Sequence, residues 1–484
     1  MAAGFETVIG LEVHAQLSTA SKLFCGCSTE FGADPNTHVC PVCLGLPGSL
    51  PVPNQRAIEL ALRAAIALGG AVQARSVFAR KNYFYPDLAK NYQISQYELP
   101  LIAGGALTIE VAGVRRAIRL TRIHLEEDAA KNLHGVASGD RTLVDYNRAG
   151  TPLMEIVSEP DLRSADEAED YLKRLREILM FLGVNDGNLE EGSFRCDVNV
   201  SIRPIGASQF GTRVELKNIN SFRFVHKAIE YEVSRQIALV SSGTKIHQET
   251  RTFNEGQGKT LPMRSKEDAM DYRYFPDPDL PPLCVSSALI DSVSASLPEL
   301  PEAKRARYAS LFKLTAADAH VLTAHPRVSE FFEATVAAVG GDASAWGKRI
   351  ANFIQAELLG HVRSDGLQAD IPITPERLAE LLTLVERGAI SGKQAKGVFA
   401  SMLTSGKSAK KLVDEQGLAQ VSDVPAIERA ARSVIDAHPD NVKSYRAGKI
   451  NLLGFFVGQV MRGMQGAGNP KLVNEVLQKL LSED

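Results

Sequence analysis

The stretch VIGLEVHAQL, residues 8–17, has the pattern of a β-strand with two different faces. Side chains of a strand point alternately to opposite sides of its sheet. One face here is apolar and consists of Ile9, Leu11, Val13, Ala15 and Leu17. The other face carries Glu12 and His14, a pair that a solvated outer face would also explain. The pattern therefore predicts a sheet with one core face and leaves the role of its polar face open.

Two later stretches show the same alternation, SFRCDVNVSIR (193–203) and TRVELKNINSF (212–222). Their polar positions are Arg195, Asp197 and Asn199 in the first stretch and Glu215 and Lys217 in the second. Several strand faces that mix cations with carboxylates and amides are typical of a cleft lining. A large sheet with one face in water would give the same pattern. Both interpretations stay open at this point.

Carboxylates in apolar surroundings favour the cleft. Glu155 lies inside the apolar run of DYNRAGTPLMEIVSEP (145–160), and an isolated buried charge is so costly that it must be paired or bound to a metal. If the polar faces converge, the candidate ligands for a cation are Glu12, His14, Glu127 and Glu155, with Glu126 equally compatible by spacing. Carboxylates suit Mg²⁺, whereas an imidazole ligand suits Mn²⁺ or Zn²⁺ better.

The stretch RKNYFYPDLAKNYQISQYELP (80–100) combines lysines with tyrosines. As a strand it would place Lys81, Tyr83 and Tyr85 on one face, which suits a phosphate or a base. A surface strand with an extended lysine is the alternative. The near matches to a phosphate-binding loop, FNEGQGKT and SMLTSGKS, have Phe253 and Ser401 where the first glycine is required. Any ATP site would therefore need a different cradle.

Four of the six cysteines lie close together in CGCSTEFGADPNTHVCPVC, namely Cys25, Cys27, Cys40 and Cys43. Two thiolate pairs joined by a turn-rich loop can supply the four tetrahedral ligands of a structural zinc ion. Free or redox-active thiol pairs are the alternative, while disulfides are rare in large intracellular chains. A site with four thiolates has no open position, so this metal would fold a loop rather than take part in chemistry.

The 484 residues are too many for a single core, and about two to four domains are expected. The net charge of −3 argues against non-specific nucleic-acid binding, and we expect no DNA partner. No apolar run reaches the roughly 20 residues needed to span a bilayer, so no membrane partner is expected. The first residues do not have the pattern of a targeting segment, which predicts a cytoplasmic protein. A proline-rich linker near 276–300 separates a mixed α/β part from a helical part.

Taken in order, the motifs resemble the family of B subunits of bacterial glutamyl/aspartyl-tRNA amidotransferases. The resemblance rests on GLEVHAQL, RKNYFYPDLAKNYQISQ, HLEEDAAK, VDYNRAGTPLMEIVSEP, RCDVNVSIR, ELKNINSF, DYRYFPDPDLPPL and GFFVGQVMRGMQGAGNP, and so covers essentially the whole chain. It implies an α+β cradle domain built on an antiparallel sheet (1–290), an all-α helical domain (295–405) and a small α-helical tail domain like the YqeY proteins (406–484). The last two would hold tRNA.

The resemblance also implies an activity. Such a protein uses ATP and Mg²⁺ to phosphorylate the side-chain carboxylate of Glu on tRNA(Gln) or of Asp on tRNA(Asn). Ammonia from a partner amidase, the A subunit, then displaces phosphate, and a small C subunit completes a heterotrimer. Some members carry the zinc ion, which is not needed for the chemistry.

By the same resemblance, the expected magnesium ligands are His14, Glu127 and Glu155. The expected catalytic residues are Lys81, Glu12, Arg195 and Asp197. The expected lining of the pocket for ATP and aminoacyl-tRNA is Tyr83, Tyr85, Gln93, Ser95, Asn199, Glu215 and Lys217.

Overall fold

The computed structural model describes residues 4–135, 141–263, 271–418, 423–464 and 468–482. The described chain divides into two compact units, residues 1–303 and 304–484. The predicted domain boundaries at 290 and 405 stay predictions. Among the described residues, no helix is both long and apolar enough to cross a membrane.

The first unit contains seventeen strands and four helices among its described residues. The strands are β1 Phe5–Gln16, β2 Ala71–Val72, β3 Arg75–Ser76, β4 Ala79–Asn82, β5 Tyr92–Ser95, β6 Ile102–Ala103, β7 Ala106–Val111, β8 Val114–Glu127, β9 Lys131–His134, β10 Thr142–Asp145, β11 Pro152–Ser158, β12 Phe194–Pro204, β13 Val214–Ile219, β14 Glu249–Asn254, β15 Lys259–Pro262, β16 Phe275–Pro276 and β17 Leu283–Cys284. The helices are α1 Gln55–Ala67, α2 Ala165–Phe181, α3 Phe222–Ser241 and α4 Ser287–Ala295.

A ten-stranded sheet in the order β15-β14-β13-β12-β1-β11-β8-β6-β2, with β7 paired to β8, organises this unit. Its pairs are antiparallel except for β13 and β14. The predicted apolar face of β1 is fully buried in one core together with residues of α1, α2 and α3. The predicted α+β fold on an antiparallel sheet is confirmed.

Side-chain caps explain where the helices of this core begin. The Asn54 side chain accepts hydrogen bonds from the first backbone amides of α1, and Ser164 and Ser221 do the same for α2 and α3. Gly183 follows α2 with φ +66°, a conformation that glycine adopts without a steric penalty. The apolar residues of these helices pack in the same core as the apolar face of β1, which leaves the polar face of the sheet for the site.

The second unit is helical. Its helices are α5 Pro301–Phe312, α6 Ala316–Leu322, α7 Pro326–Val339, α8 Ala343–Phe353, α9 Pro375–Glu386, α10 Gly392–Ser405, α11 Ala409–Glu415, α12 Val424–Ala437, α13 Pro439–Arg446, α14 Leu453–Gly463 and α15 Pro470–Ser482. One core spans α5 to α11 and another spans α12 to α15. A small hairpin, β18 Arg363–Asp365 with β19 Gln368–Asp370, was not predicted.

Candidate functional site

Four neighbouring strands bring distant polar residues into one row across the sheet. His14 in β1 lies opposite Arg195 in β12 and Glu155 in β11, and Glu155 in turn lies opposite His124 in β8. Directly opposed residues of antiparallel strands share a face, so their side chains meet. The Glu-x-His pair of the opening stretch therefore belongs to an extended polar surface.

His14, Glu126 and Glu155 form a compact group whose ligand atoms all lie within 4.8 Å of one another. Nε2 of His14 lies 3.5 Å from Oε2 of Glu155 and 3.8 Å from Oε1 of Glu126. His124 supports the group, with its Nε2 3.4 Å from the same Glu155 oxygen. Two carboxylates and an imidazole fit the donor preferences of Mg²⁺ or Mn²⁺.

Electrostatics keep this group charged despite its burial. Burial alone would raise the pKa of Glu155, but His124 and His14 hold it well below its usual range. Burial would likewise lower the pKa of His14, yet the neighbouring carboxylates Glu155 and Glu126 raise it. An ionised carboxylate pair is what a divalent cation requires.

Glu127 does not lie with this group. Because successive side chains of β8 alternate, Glu127 lies on the opposite face from Glu126. Its carboxylate accepts hydrogen bonds from Nζ of Lys90 at 2.6 Å and from the backbone N–H of Ile94 at 2.9 Å. The structure thus separates Glu127 from His14 and Glu155, and Glu126, the alternative allowed by spacing, takes its place.

Lys81 lies beside the metal-ligand candidates on a second, three-stranded sheet in the order β16-β4-β5. Burial would lower the pKa of its ammonium group, but Glu126 and Tyr274 raise it, so Lys81 stays charged. Lys81 lines a cavity of about 280 Å³. Its other lining residues include His14, Glu126, Glu155, Glu12, His124, Tyr272 and Tyr274. A fixed cation next to a metal site is suited to an anionic phosphate.

The remaining predicted polar residues continue along the same face. The Asn199 amide donates to Glu12 at 2.9 Å, and Nζ of Lys217 lies 2.9 Å from Asp197 and 3.1 Å from Glu215. Burial and the nearby Glu155 raise the pKa of Glu12. These residues form a second polar cluster next to the first.

Arg195 lies at the edge of the site. Its guanidinium pairs with Asp128 at 2.9 Å, and it lines an adjoining cavity of about 520 Å³ that shares His14, Lys81 and Glu126 with the first. Asp128 raises the pKa of Arg195 and keeps it charged.

Three predicted lining residues lie on β5 or just after β4. Ser95 donates to Glu126 at 3.2 Å, and the Gln93 amide donates to the backbone carbonyl of Glu127 at 2.8 Å. Tyr83 lines the larger cavity. Tyr85 was predicted to share a strand face with Lys81, but β4 ends at Asn82, and Tyr85 lies in the following turn with 47% of its surface exposed.

Sequence reasoning missed His124, Arg122 and the two tyrosines of DYRYFPDP, Tyr272 and Tyr274. His124 could have been found from the sequence, because it lies two residues before Glu126 on the same strand and therefore points to the same face. The tyrosines show no periodicity. They reach Lys81 because Asn82 donates hydrogen bonds to the carbonyls of residues 272 and 273, 190 positions away along the chain.

The four predicted zinc-binding cysteines converge, with all four sulfur atoms within 4.8 Å of one another. The backbone N–H of Cys40 donates to Sγ of Cys43 at 3.2 Å, and Nζ of the fully buried Lys22 lies 3.6 Å from that sulfur. A hydrogen bond from Cys25, together with the nearby Lys22, lowers the pKa of Cys43 to about 4. Four converging sulfurs fit a closed, tetrahedral structural site.

Comparison with known proteins identifies the class. The sequence profile described as "GatB/GatE catalytic domain" matches residues 7–291, and the profile described as "GatB domain" matches residues 330–481. The chain therefore belongs to the GatB/GatE family, as its motifs predicted.

Individual relatives support this over the full length. Proteins named as the B subunit of aspartyl/glutamyl-tRNA(Asn/Gln) amidotransferase share 56% identity over 478 residues in Anaeromyxobacter sp. (strain Fw109-5) and 54% over 481 residues in Geotalea uraniireducens (strain Rf4). A third, from Persephonella marina, is 53% identical over 478 residues. Each alignment covers 99% of both chains.

Proposed function

We propose that this chain is the component of a tRNA-dependent amidotransferase that activates a carboxylate with ATP. The substrate is the side chain of Glu on tRNA(Gln), of Asp on tRNA(Asn), or both. The supporting observation is the group of His14, Glu126 and Glu155 beside the charged Lys81 in one cavity. Relatives named as the B subunit of such enzymes match it over its full length.

The chemistry requires activation because a carboxylate is a poor electrophile. Its oxygen attacks the terminal phosphorus of ATP and releases ADP, and ammonia then displaces phosphate from the acyl carbon. A bound Mg²⁺ would offset the charge on the phosphate oxygens. In this proposal His14, Glu126 and Glu155 hold that ion, and Lys81 contacts the transferred phosphate.

The second polar cluster, Glu12, Asp197, Asn199, Glu215 and Lys217, would orient the aminoacyl group that accepts the phosphate. Asn199 and Lys217 fix Glu12, Asp197 and Glu215 through hydrogen bonds, so these carboxylates present a rigid edge next to the metal group. Arg195 provides a fixed cation in the adjoining cavity. We assign to that edge and cation the positioning of the aminoacyl group and of incoming ammonia.

Ammonia would come from a partner amidase, with a small third protein completing a heterotrimer in the cytoplasm. The cysteine site would hold structural Zn²⁺. Its sulfurs offer no open ligand position, so zinc would stabilise the loop of residues 25–43 without entering the reaction.

The test uses the chain co-purified with its partner proteins, Glu-tRNA(Gln), an ammonium salt and labelled ATP. We expect ATP consumption that depends on Glu-tRNA(Gln), and its loss in Glu155→Gln while tRNA still binds. The matched control is Glu190→Gln, which changes an exposed carboxylate of the same unit. Formation of Gln-tRNA without ATP consumption would refute the activation mechanism, and a fully active Glu155→Gln would refute the metal group.

A further inference from the structure

Exposed aromatic rings concentrate on the small sheet that carries Lys81. Six aromatic side chains are among the exposed large hydrophobic residues of the described chain, and four of them lie on this sheet or next to its strands. These four are Phe84 at 82% exposure, Tyr85 and Tyr97 at 47%, and Phe275 at 45%. Exposing such rings is unfavourable in water, so a cluster of them indicates a surface that binds something.

Tyr97 and Tyr274 form the most ordered part of this surface. Their rings are parallel within 5° and their centroids lie 4.3 Å apart. Tyr274 lines the cavity of the metal group, so the stack extends from that cavity to its rim. Because Tyr274 covers one face of Tyr97, the exposed half of Tyr97 is its outer face and edge.

The strands hold this stack in place. Tyr97 lies two residues beyond the end of β5, whose last residue, Ser95, donates to Glu126 of the metal group at 3.2 Å. On the other side, Arg273 adopts φ +44°, a conformation rare for residues other than glycine. Asn82 fixes that turn, since its backbone N–H donates to the carbonyl of residue 272 at 2.9 Å and its amide donates to that of residue 273 at 2.9 Å. A strained turn that is held this firmly positions Tyr274 rigidly.

We propose that the outer face of Tyr97, supported by Tyr274, is the stacking platform for an adenine base whose phosphates face Lys81. Parallel aromatic rings next to a fixed cation are the arrangement with which proteins bind unpaired bases, because every base has a π-face. This inference rests on the proposed function, which brings two adenine bases to the site, that of ATP and that of the terminal adenosine of tRNA.

The test measures binding to the full chain at one fixed salt concentration. One probe is Mg·ATP, and the other is a labelled RNA hairpin with an unpaired 3′ end that terminates in adenosine. We expect Tyr97→Ala to weaken binding of at least one probe by about 5- to 150-fold, the range for loss of one stacked base, and Tyr97→Phe to bind within about twofold of wild type. Loss for the hairpin alone assigns the platform to tRNA, and loss for ATP alone assigns it to the nucleotide.

Three controls make the result specific. A hairpin with an abasic terminal nucleotide should bind wild type and Tyr97→Ala equally if the hairpin is the affected probe. Phe31→Ala, which removes another exposed ring of the same unit, should change neither probe. If Tyr97→Ala destabilises the sheet, Tyr97→Leu is used in its place, because leucine also lacks an aromatic ring but fills more of the space.

Unchanged binding of both probes, or equal losses in Tyr97→Phe and Tyr97→Ala, would overturn the platform. A wild-type complex that consumes no ATP with either Glu-tRNA(Gln) or Asp-tRNA(Asn) would overturn the proposed function. A loss of binding in Tyr97→Ala that depends on the terminal base would still support the stacking platform even then. Failure of the platform and failure of the proposed function can therefore be told apart.

Discussion

The adjacent pair Glu126 and Glu127 offers a sharp test of the metal group, because the two carboxylates point to opposite faces of β8. Glu126→Gln removes one of two carboxylates from the group with His14 and Glu155. Loss of a residue that only supports a metal ligand typically costs 10- to 100-fold in affinity. Loss of a ligand should therefore weaken Mn²⁺ binding by at least about 100-fold, or about 2.7 kcal/mol.

Glu127→Gln is the matched control and should leave Mn²⁺ affinity unchanged. It removes the partner of Lys90, and the side chains of that pair are only 6% and 10% exposed. An unpaired buried charge costs about 3–5 kcal/mol of stability, while Mn²⁺ affinity should stay the same. Glu126→Gln should also lower the stability of the metal-free chain, because the hydrogen bond to His124 and the charges of Lys81 and His14 lower the pKa of Glu126 despite its burial. Mn²⁺ affinity is therefore the measurement that separates the two substitutions.

The assays are Mn²⁺ titration followed by electron paramagnetic resonance and unfolding followed by calorimetry, both on the full chain. The reasoning fails if Glu127→Gln loses Mn²⁺ binding, or if Glu126→Gln retains it. Equal effects of the two substitutions on affinity would show that the alternation along β8 does not decide the ligand.

Three further substitutions probe other parts of the chain. Cys43→Ser should release zinc and lower thermal stability, whereas Cys284→Ser, at an exposed cysteine outside the group, should do neither when zinc is measured by mass spectrometry. His124→Gln should weaken Mn²⁺ binding by about 10- to 100-fold through loss of support for the ligands. Lysine and arginine neighbours lower the pKa of Glu333 despite partial burial, so its stabilisation is present above its unfolded pKa and lost as the pH falls. Glu333→Gln should therefore destabilise the helical unit by about 1 kcal/mol at pH 7, a figure reduced for solvent screening of this partly exposed group, and by progressively less as the pH falls below the unfolded pKa. Fluorescence of the single tryptophan, Trp346, during urea unfolding reports the change.

Local patterns predicted the features that depend on local geometry. The period-two alternation of β1 and β12 identified the strands, and the short loop between the cysteine pairs identified the sulfur site, because both are set by neighbours in sequence. The choice between Glu126 and Glu127 depends on the pairing of β8 with β11, and no local pattern specifies that register. The approach of Tyr274 to Lys81 depends on hydrogen bonds from Asn82 across 190 positions, so only the folded chain reveals it.

The charges of the metal group also explain how a buried site can remain folded before a cation binds. Two carboxylates at Glu126 and Glu155 would repel each other in the buried face, but they raise the pKa of His14 and so favour an imidazolium between them. A metal ligand must be a neutral imidazole, so a cation has to displace the proton of His14 before it can occupy the same position. Mn²⁺ affinity should therefore rise with pH until His14 is deprotonated and then level off. The proton on His14 therefore offsets the charges of the two carboxylates until a cation replaces it.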